Sequence, residues 1–421
     1  MAPLPGIIRL RTLAMLAAFV AGLFAAGVAA ASDGDRTLTF VNQCPVQTLR
    51  VGVNGGNVGA CTGQDNSCPA GASCLMQGGK PRGCFWDLPA FDRVLAPTGS
   101  VSVAVANAPN GTTKWSGNFY ASTGCDANGN NCQASSCDGG HCPSGVGPAG
   151  PTSLAEITMV TNSVDTYDVS LINGVNIPVA IGPTATPMLT ATRATASTDP
   201  YYCQEAGSAQ ASGTGLLACS WSFSPPTVNG HSTTDKLPLV AAGGAACGSG
   251  DSSCPGDQVC GYPGGTNQAQ QVCGTQLGWW TADELCSAIP TGLGAPFNCD
   301  AEVTGQGTQK ELYACSGTTA GNSCYTDGAA DTCCGCPSWN FDQTSLPLAV
   351  GQSCQSTNAQ WTNLALPWAQ FVKAACPTAY SFPYDDATST FTCASSSTPT
   401  AANPNSVGYT ITFCPGGKTG F

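Results

Sequence analysis

The chain carries 26 cysteines, an even number, among 421 residues. Thiols in such numbers stay reduced in the cytosol and pair in an oxidising compartment, so they read as a framework of up to 13 disulfides. The N-terminus agrees with export. Arg9 and Arg11 precede an apolar run from Leu13 to Val28 that ends in Ala29-Ala30-Ala31, the layout of a signal peptide over residues 1–30. A retained anchor is the competing reading, because the run is near the lower length limit for a span. The small-residue end favours cleavage, no other segment is long and apolar enough to cross a membrane, and a secreted protein is expected. Zinc is the rival destination for Cys132, Cys137, His141 and Cys142. With only two histidines in the chain and no CxxC pair beside these residues, neither a metal nor another cofactor is expected.

The cysteine spacing contains a repeat. Cys61-x6-Cys68-x5-Cys74 and Cys247-x6-Cys254-x5-Cys260 share Asp-x-Ser-Cys-Pro at the centre, and each is followed by one more cysteine, Cys84 or Cys273. Loops of this size hold no core without their bonds, and three connectivities are open for each. They are either stapled decoration or a rim that grips a ligand. Between such anchors, 52 glycines and 30 prolines suit short strands and many turns, and the length suits two domains, with a third open. Removing the signal leaves 11 basic residues against 25 acidic, a net charge of −14. That opposes nucleic acid and anionic membranes as partners but not a neutral polysaccharide. A monomer is expected.

The stretch from Ser153 to Val179 carries the clearest strand pattern. In Leu154–Val160, Ile157 and Met159 share one face and Glu156 lies on the other. In Thr166–Ile172, Tyr167, Val169 and Leu171 oppose Asp168 and Ser170. Asn173-Gly174 is predicted to supply the two positive-φ positions of a hairpin turn. Thr37–Val41 and Tyr409–Phe413 alternate likewise and end beside Cys44 and Cys414, and Val101, Val103 and Val105 mark a further strand. Asn110-Gly-Thr112 is a glycosylation sequon, meaningful in a eukaryotic secretory route. Pro183–Pro200 reads as an extended connector. Two helices are predicted: one capped by Thr281 with Glu284 completing a capping box, and one over Pro367–Ala375 that buries Trp368, Phe371, Val372 and Ala375.

These segments resemble thaumatin-like proteins, the osmotin and pathogenesis-related family. The resemblance rests on LAEI at 154–157, the YDVSL strand, the Asn-Gly turn with NIPV, and WSGNFYASTGC from Trp115 to Cys125. Cys137-Asp-Gly-Gly, Cys333-Cys334, CPTAYS from Cys376, Phe391-Thr-Cys393 and the closing YTITFCP then follow in the family's order. It spans roughly 37–181 and 330–415. The resemblance implies a mainly β fold: a flattened β-sandwich over 37–190 and 340–421, with a small insert at 61–84. A disulfide-rich domain with short helices would cover 191–339, with a second insert at 247–273. It implies a bond between Cys44 and Cys414, and it places Cys125, Cys132, Cys137, Cys142, Cys203, Cys219, Cys376 and Cys393 among the disulfide cysteines.

The family's cleft motif is one arginine and four acids. Carried over, the arginine falls on Asn118, the glutamate on Glu156, and the three aspartates on Asp168, Asn173 and Asp386. Asp385 and Tyr120 are further cleft candidates, and Trp115, Phe119 and Tyr120 are candidates for sugar stacking, with core packing the competing role for Trp115. One of Trp279 and Trp280 is expected to face the cleft. The resemblance implies binding of cell-wall β-1,3-glucan of the antifungal type. The alternatives are a weak endo-β-1,3-glucanase, with Glu156 as proton donor and Asp168 or Asp386 as base or nucleophile, and a structural or inhibitory protein with a vestigial cleft.

Overall fold

The computed structural model describes residues 36–421 apart from 64–66, 106–112, 138–141, 185–198, 249–253, 265–269, 305–306, 317, 320–321, 324–358, 397, 401 and 403. The predicted signal segment, the Asn110 sequon, most of the 183–200 connector, His141 and the Cys333-Cys334 pair lie outside the described residues.

The first half of the chain forms β1 (Arg36–Asn42), β2 (Leu49–Gly55), β3 (Asn57–Gly59), β4 (Ala72–Gln77), β5 (Lys80–Trp86) and β6 (Val94–Leu95). β7 (Ser100–Val105), β8 (Thr113–Ser122), β9 (Leu154–Val160), β10 (Asp165–Ser170) and β11 (Val179–Pro183) follow. A second group comprises β12 (Pro238–Val240), β13 (Val259–Pro263), β14 (Val272–Gly274) and β15 (Gln276–Trp279), and the C-terminal part returns as β16 (Phe391–Cys393) and β17 (Tyr409–Phe413). Two sheets face each other, one in the order β11-β17-β1-β7 and one in the order β16-β10-β9-β8-β2-β6. Alternation decides what lies between them: Leu38, Phe40, Ile157, Met159, Tyr167, Val169, Tyr409 and Ile411 are all buried there. The chain's two ends meet as β1 pairs in parallel with β17, Leu38 opposite Tyr409, and Cys44–Cys414 closes the pair.

One buried polar network crosses this core. Arg36 pairs with Asp165, whose carboxylate also accepts from Tyr409 Oη at 2.7 Å, Asn405 Nδ2 at 3.0 Å and the Val160 amide at 3.0 Å. With every oxygen supplied with donors, an ion pair at full burial is tolerable.

Asn173-Gly174 does not make the predicted hairpin. Only Gly174 takes a positive φ, 86°, and its amide donates to the Leu171 carbonyl at 3.1 Å. β10 and β11 belong to different sheets, so the turn is a corner between layers. A Cβ on Gly174 would stand 2.5 Å from the Pro151 side chain, which is why the corner needs glycine.

The two inserts share one interleaved connectivity, first cysteine to third and second to fourth: Cys61–Cys74 with Cys68–Cys84, and Cys247–Cys260 with Cys254–Cys273. Cys125–Cys132, Cys137–Cys142, Cys203–Cys393, Cys219–Cys376 and Cys286–Cys299 complete the pairs among the described residues. Cys132, Cys137 and Cys142, the cysteines of the rival zinc set, are therefore spent in disulfides.

Five short helices are described: α1 (Ala282–Ala288), α2 (Gln309–Tyr313), α3 (Ala359–Leu364), α4 (Leu366–Ala375) and α5 (Asp386–Ser389). α4 buries Trp368, Phe371, Val372 and Ala375 as predicted, with Trp368 stacked on Phe297 at 5.0 Å. The capping box predicted at Thr281 is absent. The box that forms is at α2, where the Thr308 hydroxyl accepts from the Glu311 amide and Glu311 accepts from the Thr308 amide at 2.7 Å. Thr281 and Glu284 instead reach across to the β10 corner.

Candidate functional site

Strand register assembles the site. Asn54 on β2 lies opposite Asn118 on β8, Asn118 opposite Glu156 on β9, and Glu156 opposite Asp168 on β10. Three strand spacings make a polar row about 14 Å long across the outer face of the six-stranded sheet. The row faces outward because Ala155, Ile157, Tyr167 and Val169, one residue away on each strand, fill the core. Asn54 was not anticipated, although LRVGVNG already alternates Val51 and Val53 against it.

Asp386 joins the row from the first position of α5. The Tyr380 hydroxyl lies 2.7 Å from Asp386 Oδ1 and 2.6 Å from Thr390 Oγ1. Tyr380 is itself fixed by backbone bonds on both sides, from its amide to the Val169 carbonyl at 2.8 Å and from the Leu171 amide to its own carbonyl at 3.0 Å. Burial first, and then the Asp386 carboxylate, push the Tyr380 phenol upward, so it stays protonated and donates to Asp386. Tyr380 belongs to the CPTAYS motif, whose sequence alone does not point to this role.

The two central acids hold their protons more tightly than free carboxyls. Burial raises Glu156, and a hydrogen bond from Asn118 partly offsets it. Asp168 is raised more strongly, by burial, then by Glu156, then by Asp386. Asp168 Oδ1 is buried with no hydrogen-bond partner, and among the described residues no basic side chain pairs with either acid. The two carboxyls therefore hold their last proton as a pair, with Asn118 donating to Glu156 and no donor at Asp168 Oδ1.

Asp385, expected on the cleft, is buried and structural. It pairs with Lys373 at 2.8 Å and accepts from the Ser381 hydroxyl at 2.8 Å and the Thr388 hydroxyl at 2.7 Å. Lys373 Nζ also donates to the Pro377 carbonyl at 3.0 Å, the Ala379 carbonyl at 2.9 Å and Ser389 Oγ at 2.9 Å. One buried ammonium thus knits together the loop that presents Tyr380 and Asp386.

The stacking candidates are not available to a ligand. Trp115 and Phe119 point inward and stack at 4.8 Å with 9° between their planes. Tyr120 shares the face of Asn118, but its ring lies over Gly52, where an added Cβ would fall 2.0 Å from it, and 1% of the residue is exposed. Trp279 and Trp280 are both buried, with their indole N–H groups donating to the Gly420 carbonyl at 2.8 Å and the Tyr262 carbonyl at 3.1 Å.

Asn173 stands at the β10 corner, exposed, and its amide donates to Glu284 Oε1 at 3.0 Å. Burial, then Asp283, push Glu284 up to about 7, with Asn173 and Lys310 opposing. Asp283 rises to about 6 by burial, opposed by Lys310. These acids stand on α1 beside the β10 corner, where the sequence pointed to Glu284 as a capping residue and to one of Trp279 and Trp280 as facing the cleft. As for metals, the sulfurs of Cys61, Cys68 and Cys84, and of Cys247, Cys254 and Cys273, lie within 4.8 Å of one another. All six are in disulfides, so they offer no thiolate.

The profile of the Thaumatin family matches residues 92–415. The chain is similar to zeamatin of Zea mays, 34% identical over 80 residues, or 19% of this chain and 27% of that protein. It is 54% identical over 48 residues to pathogenesis-related thaumatin-like protein 3.5 of Cryptomeria japonica, 11% of this chain and 15% of the other. A glucan endo-1,3-beta-glucosidase of Prunus avium is 29% identical over 117 residues, 28% of this chain and 34% of its own. The matched stretches thus span about a third or less of these relatives. A crystal structure of a laminaripentaose-producing β-1,3-glucanase with laminaritetraose superposes over 90% of this chain and 98% of its own, at 15% identity and a TM-score of 0.29, too low to align site residues.

Proposed function

This chain belongs to the Thaumatin family, and on that premise we propose that it is exported and binds β-1,3-glucan of cell walls. The binding surface is an acidic cleft between the sandwich of residues 37–190 and 340–421 and the disulfide-rich domain of residues 191–339. The observation that carries this reading is the row Asn54–Asn118–Glu156–Asp168, continued by Asp386. Amides and carboxyls in a line offer donors and acceptors at strand spacing to a chain of sugar hydroxyls. A neutral polysaccharide also meets no repulsion from an acidic surface. Two carboxyls kept together without a cation lower stability, and such groups are retained where they have work to do.

Hydrolysis is the second reading, favoured by the coupling of Glu156 and Asp168. Directly opposed cross-strand residues have Cβ atoms about 4.5–5.5 Å apart, which puts both carboxyls within reach of one glycosidic bond. On this second reading the roles are the reverse of those expected from the sequence. Asp168, without a donor, keeps the proton and gives it to the leaving oxygen, while Glu156, steadied by Asn118, is the ionised nucleophile.

The experiment runs pull-down and reducing-end release in parallel on linear β-1,3-glucan, with wild type, Glu156→Gln and Asp168→Asn. Pull-down by all three without release supports binding alone. Release by wild type that either substitution abolishes supports hydrolysis. Neither binding nor release would leave a structural or inhibitory protein and end the glucan reading.

A further inference from the structure

We propose that Glu284 is a ligand-binding residue of the same cleft, a carboxyl delivered from α1 to the corner at Asn173 and oriented there by that residue's amide. The proposal rests on the glucan reading above. Glu284 stands three residues after Thr281, the position from which a capping glutamate turns back to its own helix. It does not turn back. The Thr281 hydroxyl donates to the Ile172 carbonyl at 2.8 Å, and Glu284 Oε1 accepts from Asn173 Nδ2 at 3.0 Å, so the side chains of Thr281 and Glu284 are both spent on the corner after β10, while Asp283 lies between them on the first turn.

The rest of the corner is shaped around this carboxyl. Gly150 lies against its second oxygen, and a Cβ at 150 would approach Oε2 to 2.5 Å. Gly150 does not take a left-handed backbone, so what its missing side chain supplies is room for Glu284. The Thr152 amide donates to the Asn173 carbonyl at 2.8 Å, tying the corner to the entry of β9. The Glu284 station thus sits at the ends of the two strands that carry Glu156 and Asp168. A neutral amide at 173 is what allows one acid there, since a carboxyl at 173 would face Glu284 as a like charge. Glu284 is only half-buried, and the sugar unit it would meet lies beyond the one over Glu156 and Asp168. With its proton held up to about 7, it donates to that hydroxyl in mild acid and accepts from it above neutrality.

The test measures affinity for linear β-1,3-glucan in wild type, Glu284→Gln, Asn173→Asp, Gly150→Ala and the double variant Asn173→Asp/Glu284→Gln, each with its thermal unfolding midpoint. The single substitutions are expected to weaken binding about five- to tenfold, Gly150→Ala by displacing the carboxyl without changing any charge. The double variant, which moves the carboxyl across the same contact, is expected to recover affinity to within about twofold. A merely structural contact predicts no such recovery. Glu284→Gln binding like wild type, or a double variant no better than Glu284→Gln, would overturn the assignment while leaving the glucan reading intact. Failure of wild type to bind would remove both.

Discussion

Asp168 faces Glu156 across the strand pair and Asp386 from the start of α5, and burial removes the water that would otherwise steady its charge. Its folded pKa therefore lies above the unfolded one. In the window between the two, the native state binds the extra proton, and stability falls as pH rises. Glu156, Asp283 and Glu284 act in the same direction. Midpoints of urea unfolding are expected to drop from pH 5 to pH 8. Asp168→Asn should stabilise the protein by about 1–3 kcal/mol at pH 8 and by almost nothing near pH 4, while weakening its function. Glu284→Gln should flatten the part of the profile between about pH 5 and 7. A profile that rises with pH in the wild type would contradict this electrostatic picture.

At the scale of elements, period-of-two reading placed Glu156 and Asp168 outside the core because β9 and β10 alternate cleanly. The same rule, applied to β8, would have sent Trp115 and Phe119 inward. Tyr120 was beyond it, because what covers that ring is Gly52 on a strand distant in sequence. The cap at Thr281 misled for a related reason: its local signal is sound, but tertiary partners at Ile172 and Asn173 compete for the same side chains. Asp385 and Asp386 are adjacent in sequence, and only the buried Lys373 separates their roles. Lys373→Met should therefore cost about 3–5 kcal/mol, by leaving Asp385 buried and unpaired, and should lower glucan affinity through Asp386. Unfolding and binding measured on the same sample check both; unchanged affinity at temperatures where the variant is folded would show that Asp386 does not depend on this ion pair.

For the molecule as a whole, the cysteines carried much of the legible information. The repeat of spacing at 61–84 and 247–273 became a repeat of connectivity, and the bond between Cys44 and Cys414 closes a loop of 370 residues. Replacing that pair by alanines should cost about 2–5 kcal/mol, read as a lowered unfolding midpoint that reducing agent no longer shifts at this site. What spacing left open was which acids from the second half of the chain reach the sheet, since Glu284 and Asp386 arrive through packing between segments far apart in sequence.

The central claim is that the carboxyl row on the outer sheet is a glucan-binding surface. The most direct measurement is the affinity of folded, disulfide-intact protein for linear β-1,3-glucan, compared between wild type and Glu156→Ala/Asp168→Ala, with unfolding midpoints recorded alongside. Wild type is expected to bind and the double variant to lose at least about tenfold in affinity, with no loss of stability at neutral pH. Equal binding by the two proteins would place the polysaccharide somewhere other than this row.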